Sequence, residues 1–148
     1  MSNTYSNLLA HIIFRTKNSI PLIKNNFQDQ LYGYIGGIIR SEDGILLSIG
    51  GMPDHVHMLI KYQPTLPISD LMRKVKASSS KWFNGQNFLA ARFSWQSEYG
   101  VFSVSESQGG AVKKYIASQE EHHKRKSFKE ELIELLEAHG IDYDERYL

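Results

Sequence analysis

Cysteine is absent from the 148-residue sequence. Its absence excludes disulfide bonds, thiolate metal sites and cysteine nucleophiles. Long apolar runs are absent too, since no stretch approaches the roughly 18 residues that are needed to cross a bilayer. The apolar run at residues 8–14 is short, contains His11 and follows no basic segment, so we interpret it as a strand rather than a signal peptide. We therefore expect a soluble, cytoplasmic protein with no membrane partner.

A large excess of charge of either sign is also absent. The sequence contains 17 Lys and Arg and 16 Asp and Glu, so its formal net charge is +1. Near-neutrality argues against a nucleic-acid partner only if the charges are evenly spread. Residues 61–92 contain six bases and one acid, whereas residues 120–148 contain nine acids and five bases. The basic middle segment could therefore contact phosphates, with an ordinary solvated helix face as the alternative.

Internal repeats and low-complexity segments are also lacking, and the length suits one domain spanning residues 1–148. Apolar spacing and turn residues predict the order β α β β α β β α α. The predicted strands span residues 5–15, 45–49, 55–60, 93–96 and 101–105, and the predicted helices span residues 24–40, 69–83, 111–125 and 127–137. Ser69 and Asp70 are predicted to cap the second helix, and Ser127 forms a capping box with Glu130 at the last. The pattern indicates the α+β class, with a mainly antiparallel sheet and helices packed on one face.

Two histidines lie two positions apart in the strand predicted at residues 55–60. Because side chains alternate along a strand, His55 and His57 project from the same face, about 7 Å apart. Two imidazoles that converge from one face provide half of a metal site, although an ordinary polar sheet face would show the same spacing. His11, on an otherwise apolar strand, is interpreted as an interior histidine.

A second pair of interest lies in the helix predicted at residues 111–125. Tyr115 and Gln119 are four residues apart and therefore share one helix face. Tyr115 offers a hydroxyl and Gln119 a carbonyl oxygen, while Ile116 on another face can carry the packing. A tyrosine that only packs is the alternative. Residues 122–126 form a basic end, which is favourable at a helix C-terminus.

Together these residues suggest one chemistry. A divalent cation held by His55, His57 and Gln119 would polarise a phosphodiester oxygen, and Tyr115 would attack phosphorus to form a covalent phosphotyrosine. The phosphotyrosyl linkage conserves the energy of the phosphodiester bond, so the strand can be rejoined without ATP. Nitrogen and oxygen ligands without thiolate suit Mg²⁺ or Mn²⁺, and the two imidazoles alone would also suit Zn²⁺.

The segment PDHVHML at residues 53–59 resembles the histidine–hydrophobic–histidine motif of the HUH endonuclease superfamily. The chain as a whole resembles the single-tyrosine transposases of the insertion-sequence 200/605 type, through further segments in matching order at residues 14–17, 76–80, 95–105, 115–123 and 140–144. The resemblance implies a transposase with the ferredoxin-like fold of HUH nucleases. Such an enzyme cleaves and rejoins single-stranded DNA at hairpin-marked element ends through a 5′-phosphotyrosine intermediate.

The same resemblance implies a role for each of the four candidate site residues. It implies that Tyr115 is the nucleophile, that His55 and His57 are paired metal ligands, and that Gln119 is the third ligand. The implied cofactor is Mg²⁺ or Mn²⁺, and the implied partner is single-stranded DNA with hairpin ends.

The resemblance also implies a homodimer whose active sites are shared, so that the tyrosine helix of one subunit completes the metal site of the other. We predict that this helix, at about residues 109–126, is mobile because Gly109 and Gly110 precede its main body. A C-terminal helix and tail would follow at residues 127–148.

Single-stranded DNA binding requires a basic track along the protein surface. Six side chains are predicted to contribute to this track, namely Arg15, Lys17, Arg73, Lys74, Lys76 and Lys81. Phosphate contacts of this kind would give salt-dependent binding with little sequence information.

Three alternatives stay open at the level of sequence. A host-adapted HUH protein would act on repeated palindromic sequences with the same chemistry, and a non-catalytic module would bind DNA hairpins only. A zinc hydrolase would use the histidine pair and water, but it needs a further ligand and a general base for which the sequence offers no distinctive residue.

Overall fold

The computed structural model describes residues 4–148, and its regular elements are four strands and five α-helices. In chain order these elements are β1 (Leu8–Thr16), α1 (Asn25–Ser41), β2 (Ile45–Met52), β3 (His55–Tyr62), α2 (Ile68–Gly85), β4 (Trp95–Val104), α3 (Gly109–Ala117), α4 (Gln119–His123) and α5 (Phe128–Ala138). Short 3₁₀ turns lie at Lys17–Ser19, Glu106–Gln108 and Glu145–Tyr147. Within residues 4–148, no helix combines the length and the apolarity that a membrane crossing requires.

The strands form one antiparallel sheet in the order β2-β3-β1-β4. Helix α1 connects β1 to β2 and helix α2 connects β3 to β4, which gives the ferredoxin-like arrangement. The predicted α+β class and the antiparallel sheet are confirmed. Central strands β1 and β3 hold most of the buried positions, so the sheet centre is the most rigid platform available for a site.

The observed order of elements differs from the predicted order at β4. Residues 93–96 and 101–105 were predicted as two strands, but Trp95–Val104 is a single strand. Residues 96–100, in the middle of this strand, are mostly polar and end with Gly100, which is a pattern typical of a loop. Pairing with β1 continues through it nonetheless, with Tyr99 opposite Phe14 and Gly100 opposite Ile13. The order is therefore β α β β α β α α α.

The helix predicted at residues 111–125 is also interrupted. Ser118 has a non-helical backbone with ψ of 26°, and it separates α3 from α4. Its hydroxyl donates to the carbonyl oxygens of Lys114, at 2.9 Å, and Tyr115, at 3.2 Å, so the side chain competes with the helical pattern. The interruption lies between Tyr115 and Gln119, which nevertheless remain neighbours.

Helices cover both faces of the sheet, so the prediction of one covered face is wrong. Ile12, Met58 and other alternate residues of β1 and β3 pack against α1 and α2. On the opposite face Ile13 packs near Phe128 of α5, and Leu59 packs near Ile116 of α3. A strand that is buried on both faces shows a continuous apolar run instead of alternation, as residues 8–14 do.

The two capping predictions have different outcomes. Helix α5 begins with the predicted capping box, in which the Ser127 hydroxyl accepts from the Glu130 backbone, and Gly140 follows the helix with φ of +65°. Helix α2 instead begins after Pro67, with no side-chain cap, so the predicted cap at Ser69 and Asp70 is wrong. The fixed φ of a proline supports a helix start without the help of a capping side chain.

Candidate active site

The histidine pair lies on β3 and faces the helices α3–α5. Both imidazoles are fully buried, at 0% exposure, and their ring centroids are 5.2 Å apart. Val56 and Met58 alternate with them and join the apolar core on the other face. The prediction that His55 and His57 project from one face while their neighbours are buried on the other is confirmed.

His57 is held at both of its ring nitrogens. Nδ1 lies 2.8 Å from Nε2 of His11, and Nε2 lies 2.8 Å from Oε1 of Glu131. Because a carboxylate only accepts, His57 donates from Nε2, and its Nδ1 accepts from His11. Burial lowers the pKa of His57, and burial beside His57 lowers the pKa of His11 to about 3. His11 is interior, as predicted, and it also fixes the orientation of His57.

His55 faces acceptors at both of its ring nitrogens. Nδ1 is 2.7 Å from Oδ1 of Asp54, while Nε2 is 3.2 Å from Oε1 of Gln119 and 3.5 Å from Oε1 of Glu131. Burial opposes the charged form, but hydrogen bonds to Asp54 and Glu131 raise the pKa of His55 to about 9. Nε2 of His55 therefore faces oxygen atoms, and a proton or a metal cation at this nitrogen would be favoured there.

Tyr115 and Gln119 are brought to the histidine pair by α3 and the start of α4. The Tyr115 ring centroid lies 5.6 Å from that of His57. Ile116 is buried against Leu9 and Leu59, as its predicted packing role requires, and this contact holds α3 on the sheet. The four residues singled out from the sequence for their chemistry thus lie together in one chain.

A glycine in β2 allows α3 to approach the sheet this closely. A side-chain carbon on Gly50 would lie 2.6 Å from the backbone oxygen of Ile116, which is much closer than real contacts permit. Gly50 also pairs with His57 across the sheet. The small residue therefore sets the distance between the helix that carries Tyr115 and the strand that carries the histidines.

Glu131 is a site residue that sequence reasoning missed. It extends from α5, is 2% exposed, and its Oε1 also lies 3.1 Å from Nε2 of His123. Burial opposes its charge, but hydrogen bonds from His55 and His57 hold the pKa of the carboxyl well below its usual range. A signal was present, since an acid at this position lies on the apolar face of α5, three residues after Phe128.

His123 is the second missed residue. Its Nε2 lies 3.0 Å from Oε1 of Gln119, one helical turn earlier, as well as close to Glu131. Residues 122–126 were interpreted as a basic helix end, but the break at Ser118 turns α4 so that His123 points into the site. The four-residue spacing from Gln119 was the available signal.

The donor atoms fit a divalent cation. His55, His57, His123 and Glu131 each offer one ligand atom, and these atoms all lie within 4.8 Å of one another. The two strand histidines present Nε2 inward while Asp54 and His11 engage their Nδ1 atoms. A metal-binding imidazole donates its other ring N–H, so with a cation at Nε2 the proton of His57 would lie on Nδ1 and be donated to His11. A buried set of nitrogen and oxygen donors of this kind could bind a metal ion.

The Tyr115 hydroxyl donates a hydrogen bond to Oε2 of Glu131. Burial and the nearby Glu131 carboxylate raise the pKa of Tyr115 well above its usual range, so the phenol is neutral at physiological pH. A cavity of about 390 Å³ opens beside Tyr115 between α3, β4 and α5. Phe102 and His139 stack in its wall, with ring centroids 4.4 Å apart. Tyr115 therefore contacts the donor cluster through its hydroxyl and also lines an open cavity.

The predicted basic residues come from two parts of the fold, because Arg15 lies on β1 and Lys17 lies in the turn that follows it, whereas the other four lie on α2. Arg73, Lys74, Lys76 and Lys81 lie on α2, across the sheet from Tyr115. Lys76 Nζ donates to the carbonyl oxygens of Gln96, Ser97 and Glu98, at 2.6 Å, 2.9 Å and 3.2 Å, which anchors the start of β4.

The other basic side chains differ in how strongly they are engaged. Arg15 pairs with Glu98 at 2.9 Å and Lys74 pairs with Glu42 at 2.8 Å. Lys17, Arg73 and Lys81 are exposed, although Arg73 also lies 3.9 Å from Asp70. These three therefore have the greatest freedom to reach a phosphate.

Comparison with known proteins gives a consistent result. The family described as transposase, IS200-like, matches residues 4–119. The ISDra2 transposase TnpA of Deinococcus radiodurans is 27% identical over 114 residues, covering 74% of this chain and 81% of that protein. A crystal structure of a candidate transposase from Deinococcus radiodurans superposes with a TM-score of 0.65 at 25% identity, covering 80% of this chain and 95% of the other.

A further solved structure shares the fold. It is a REP-associated tyrosine transposase bound to a REP hairpin, with a TM-score of 0.61 at 14% identity, covering 83% of this chain and 74% of the other. The match to the family ends at residue 119 and therefore excludes His123 and Glu131.

Proposed function

We propose that this chain, which belongs to the family of IS200-like transposases, cuts and rejoins single-stranded DNA at hairpin-marked element ends through a 5′-phosphotyrosine intermediate. The observation that carries the proposal is the position of Tyr115, whose ring centroid lies 5.6 Å from that of His57, beside the buried cluster of His55, His57 and Gln119. A tyrosine that only packed would not require three convergent donors next to its hydroxyl.

The proposed reaction is a transesterification at phosphorus. The Tyr115 oxygen attacks the scissile phosphate, the bond from phosphorus to the 3′ oxygen breaks, and the strand leaves with a free 3′ hydroxyl. The 5′ phosphate stays on Tyr115, and attack by another 3′ hydroxyl reverses the step and rejoins a strand. Because the phenol is neutral, its proton must leave during attack, and Oε2 of Glu131 is the acceptor in contact with it.

His55, His57 and Gln119 would hold Mg²⁺ or Mn²⁺ in this proposal. When bound, the cation supplies Lewis-acid polarisation of a phosphate oxygen. The chain itself fixes the ligand directions, because Asp54 holds the His55 ring and His11 holds the His57 ring.

We propose single-stranded DNA with hairpin ends as the partner, and the hairpin-bound relative of the same fold motivates this choice. Arg15, Lys17, Arg73, Lys74, Lys76 and Lys81 remain the proposed contacts. Because α2 lies across the sheet from Tyr115, DNA that reaches both must pass around the sheet. Substitution of basic residues on α2 should therefore weaken DNA binding and reduce its salt dependence. The rate at which bound DNA is cleaved should not change.

We also propose a homodimer in which the helix of Tyr115 exchanges between subunits, with residues 1–148 acting as one domain. Among the described residues, a side-chain carbon on Gly110 would have no neighbour within 4 Å, so close packing does not explain the glycine at this position. A hinge that lets the helix of Tyr115 move would explain it. Mixed dimers of Tyr115→Phe and His57→Ala chains test the exchange. If sites are shared, the mixture regains activity that neither variant has alone; if each chain uses its own tyrosine, it does not.

The direct test uses single-stranded oligonucleotides copied from the DNA that flanks the gene, with Mn²⁺, on denaturing gels. Wild-type protein should form a covalent adduct, Tyr115→Phe should bind the DNA without forming one, and the exposed control Tyr147→Phe should behave like wild type. An adduct in Tyr115→Phe would contradict the proposal. Cleavage without any adduct would identify a metal hydrolase, and binding without cleavage would identify a non-catalytic hairpin-binding module.

A further inference from the structure

One carboxylate, on Glu131, contacts both the imidazole cluster and the hydroxyl of the tyrosine. Its Oε1 faces Nε2 of His57 at 2.8 Å and Nε2 of His55 at 3.5 Å. Its Oε2 accepts from the Tyr115 hydroxyl and from the side-chain nitrogen of Gln119, at 3.2 Å. The two oxygens therefore have separate partners, one on the metal-binding side and one on the side of the nucleophile.

Glu131 lies outside the part of the sequence that matches the family. It lies on α5, beyond the segment that matches the family, and its helix packs through Phe128 and Leu136 against Ile13 and Phe102. An apolar residue would suit that surface better, because a buried charge is unfavourable unless it is paired. The carboxylate is accommodated because five polar side chains, those of His55, His57, Tyr115, Gln119 and His123, face it.

We infer that Glu131 is an additional protein ligand of the divalent cation through Oε1 and the positioning residue of the nucleophile through Oε2. This inference rests on the proposed metal-assisted function, and it makes α5 part of the active site. One rigid carboxylate then fixes the distance between the cation and the Tyr115 hydroxyl, and Mn²⁺ binding and α5 docking stabilise each other.

The test measures Mn²⁺ affinity of the full chain by isothermal titration calorimetry. Glu131→Gln should weaken binding by at least about tenfold, as loss of a liganding group does. The matched control is Glu134→Gln, on the same helix but on its exposed side, where the carboxylate pairs with Lys126. This control should stay within about twofold of wild type, a range that is well below the effect of losing a ligand.

A second readout separates positioning from metal affinity. At saturating Mn²⁺, Glu131→Gln should still form the covalent DNA adduct but at least about tenfold more slowly, because the hydroxyl has lost the carboxylate that positions it and accepts its proton. Glu131→Asp, which keeps the charge but shortens the side chain, should be impaired in both measurements and serves if Glu131→Gln does not fold.

Three results would overturn the inference, and they are distinguishable from one another. If wild type binds Mn²⁺ and Glu131→Gln binds it equally well, Glu131 is no ligand, and the proposed function is unaffected. If saturating Mn²⁺ fully restores the adduct rate of the variant, Glu131 does not position Tyr115. If wild type binds no Mn²⁺, this inference and the metal-assisted function fail together.

Discussion

The two faces of the sheet are built from the same strands but differ in chemistry. Along β3, Val56 and Met58 face α1 and α2 in an apolar core, while His55 and His57 face α3–α5 in a polar cluster. Both sets are completely buried. On the first face, Val56 and Met58 contribute hydrophobic stabilisation, whereas on the second face His55 and His57 belong to a network of hydrogen bonds whose donor atoms could also bind a cation. Stability and chemistry can therefore be changed separately by substituting neighbouring residues.

The largest effect is expected on the apolar face. Met58→Ala removes a fully buried side chain and should lower the free energy of unfolding by about 2–5 kcal/mol, through lost burial and a cavity. Urea unfolding measures this change. Mn²⁺ affinity of the folded variant should be unchanged, since Met58 faces away from the cluster. A variant that stayed folded but lost Mn²⁺ affinity would show that the two faces are not independent.

A slightly smaller effect on the free energy of unfolding is expected when Mn²⁺ binds to the cluster around His55 and His57. At Mn²⁺ concentrations about 100 times the dissociation constant, the free energy of unfolding should rise by about 2.7 kcal/mol, because only the folded chain presents the convergent donors. His57→Ala should abolish this gain, while Met58→Ala should keep it. Equal stabilisation of wild type and His57→Ala would place the cation elsewhere.

Asp54 offers a test of the outer contacts of the cluster. Asp54→Asn keeps the shape of the side chain but removes the charge that supports His55, and it should weaken Mn²⁺ binding by about 10–100-fold. Calorimetric titration measures the loss. Asp29→Asn, an exposed change on α1, is the control and should have no effect.

The smallest effect is expected at the start of α5. Ser127→Ala removes the capping box and should lower the free energy of unfolding by about 1 kcal/mol. Because α5 carries Glu131, a modest loss of Mn²⁺ affinity should accompany it. Ser107→Ala is the control for urea unfolding, because the Ser107 hydroxyl is exposed and lies 3.1 Å from the exposed hydroxyl of Ser105. An unchanged stability would mean that the cap is not needed to hold α5 in place.

Local signals predicted much of the fold. The bounds of α5 followed from Ser127, Glu130 and Gly140, because a capping box and a left-handed glycine act within one helical turn. Strand β4 was divided in two by the prediction, because its polar middle is ordered by pairing with β1, which is distant in sequence. The covering of both sheet faces likewise depends on helices far along the chain.

The same distinction holds for the candidate site. The spacing of His55 from His57 and of Tyr115 from Gln119 was readable because strand and helix periodicity places each pair on one face. Glu131 reaches the cluster from a separate helix, and only tertiary packing brings it there. No local pattern specifies such a contact, although an acidic residue on the apolar face of a helix indicates that the side chain has a buried polar partner.

Mass spectrometry of the covalent adduct tests the proposed role of Tyr115 most directly. Wild-type protein is incubated with Mn²⁺ and single-stranded oligonucleotides from the DNA flanking its gene, then digested and sequenced. We predict a peptide in which Tyr115 carries a nucleotide through its 5′ phosphate. A nucleotide on any other residue, or cleaved DNA with no modified peptide, would contradict the assignment of Tyr115 as the nucleophile.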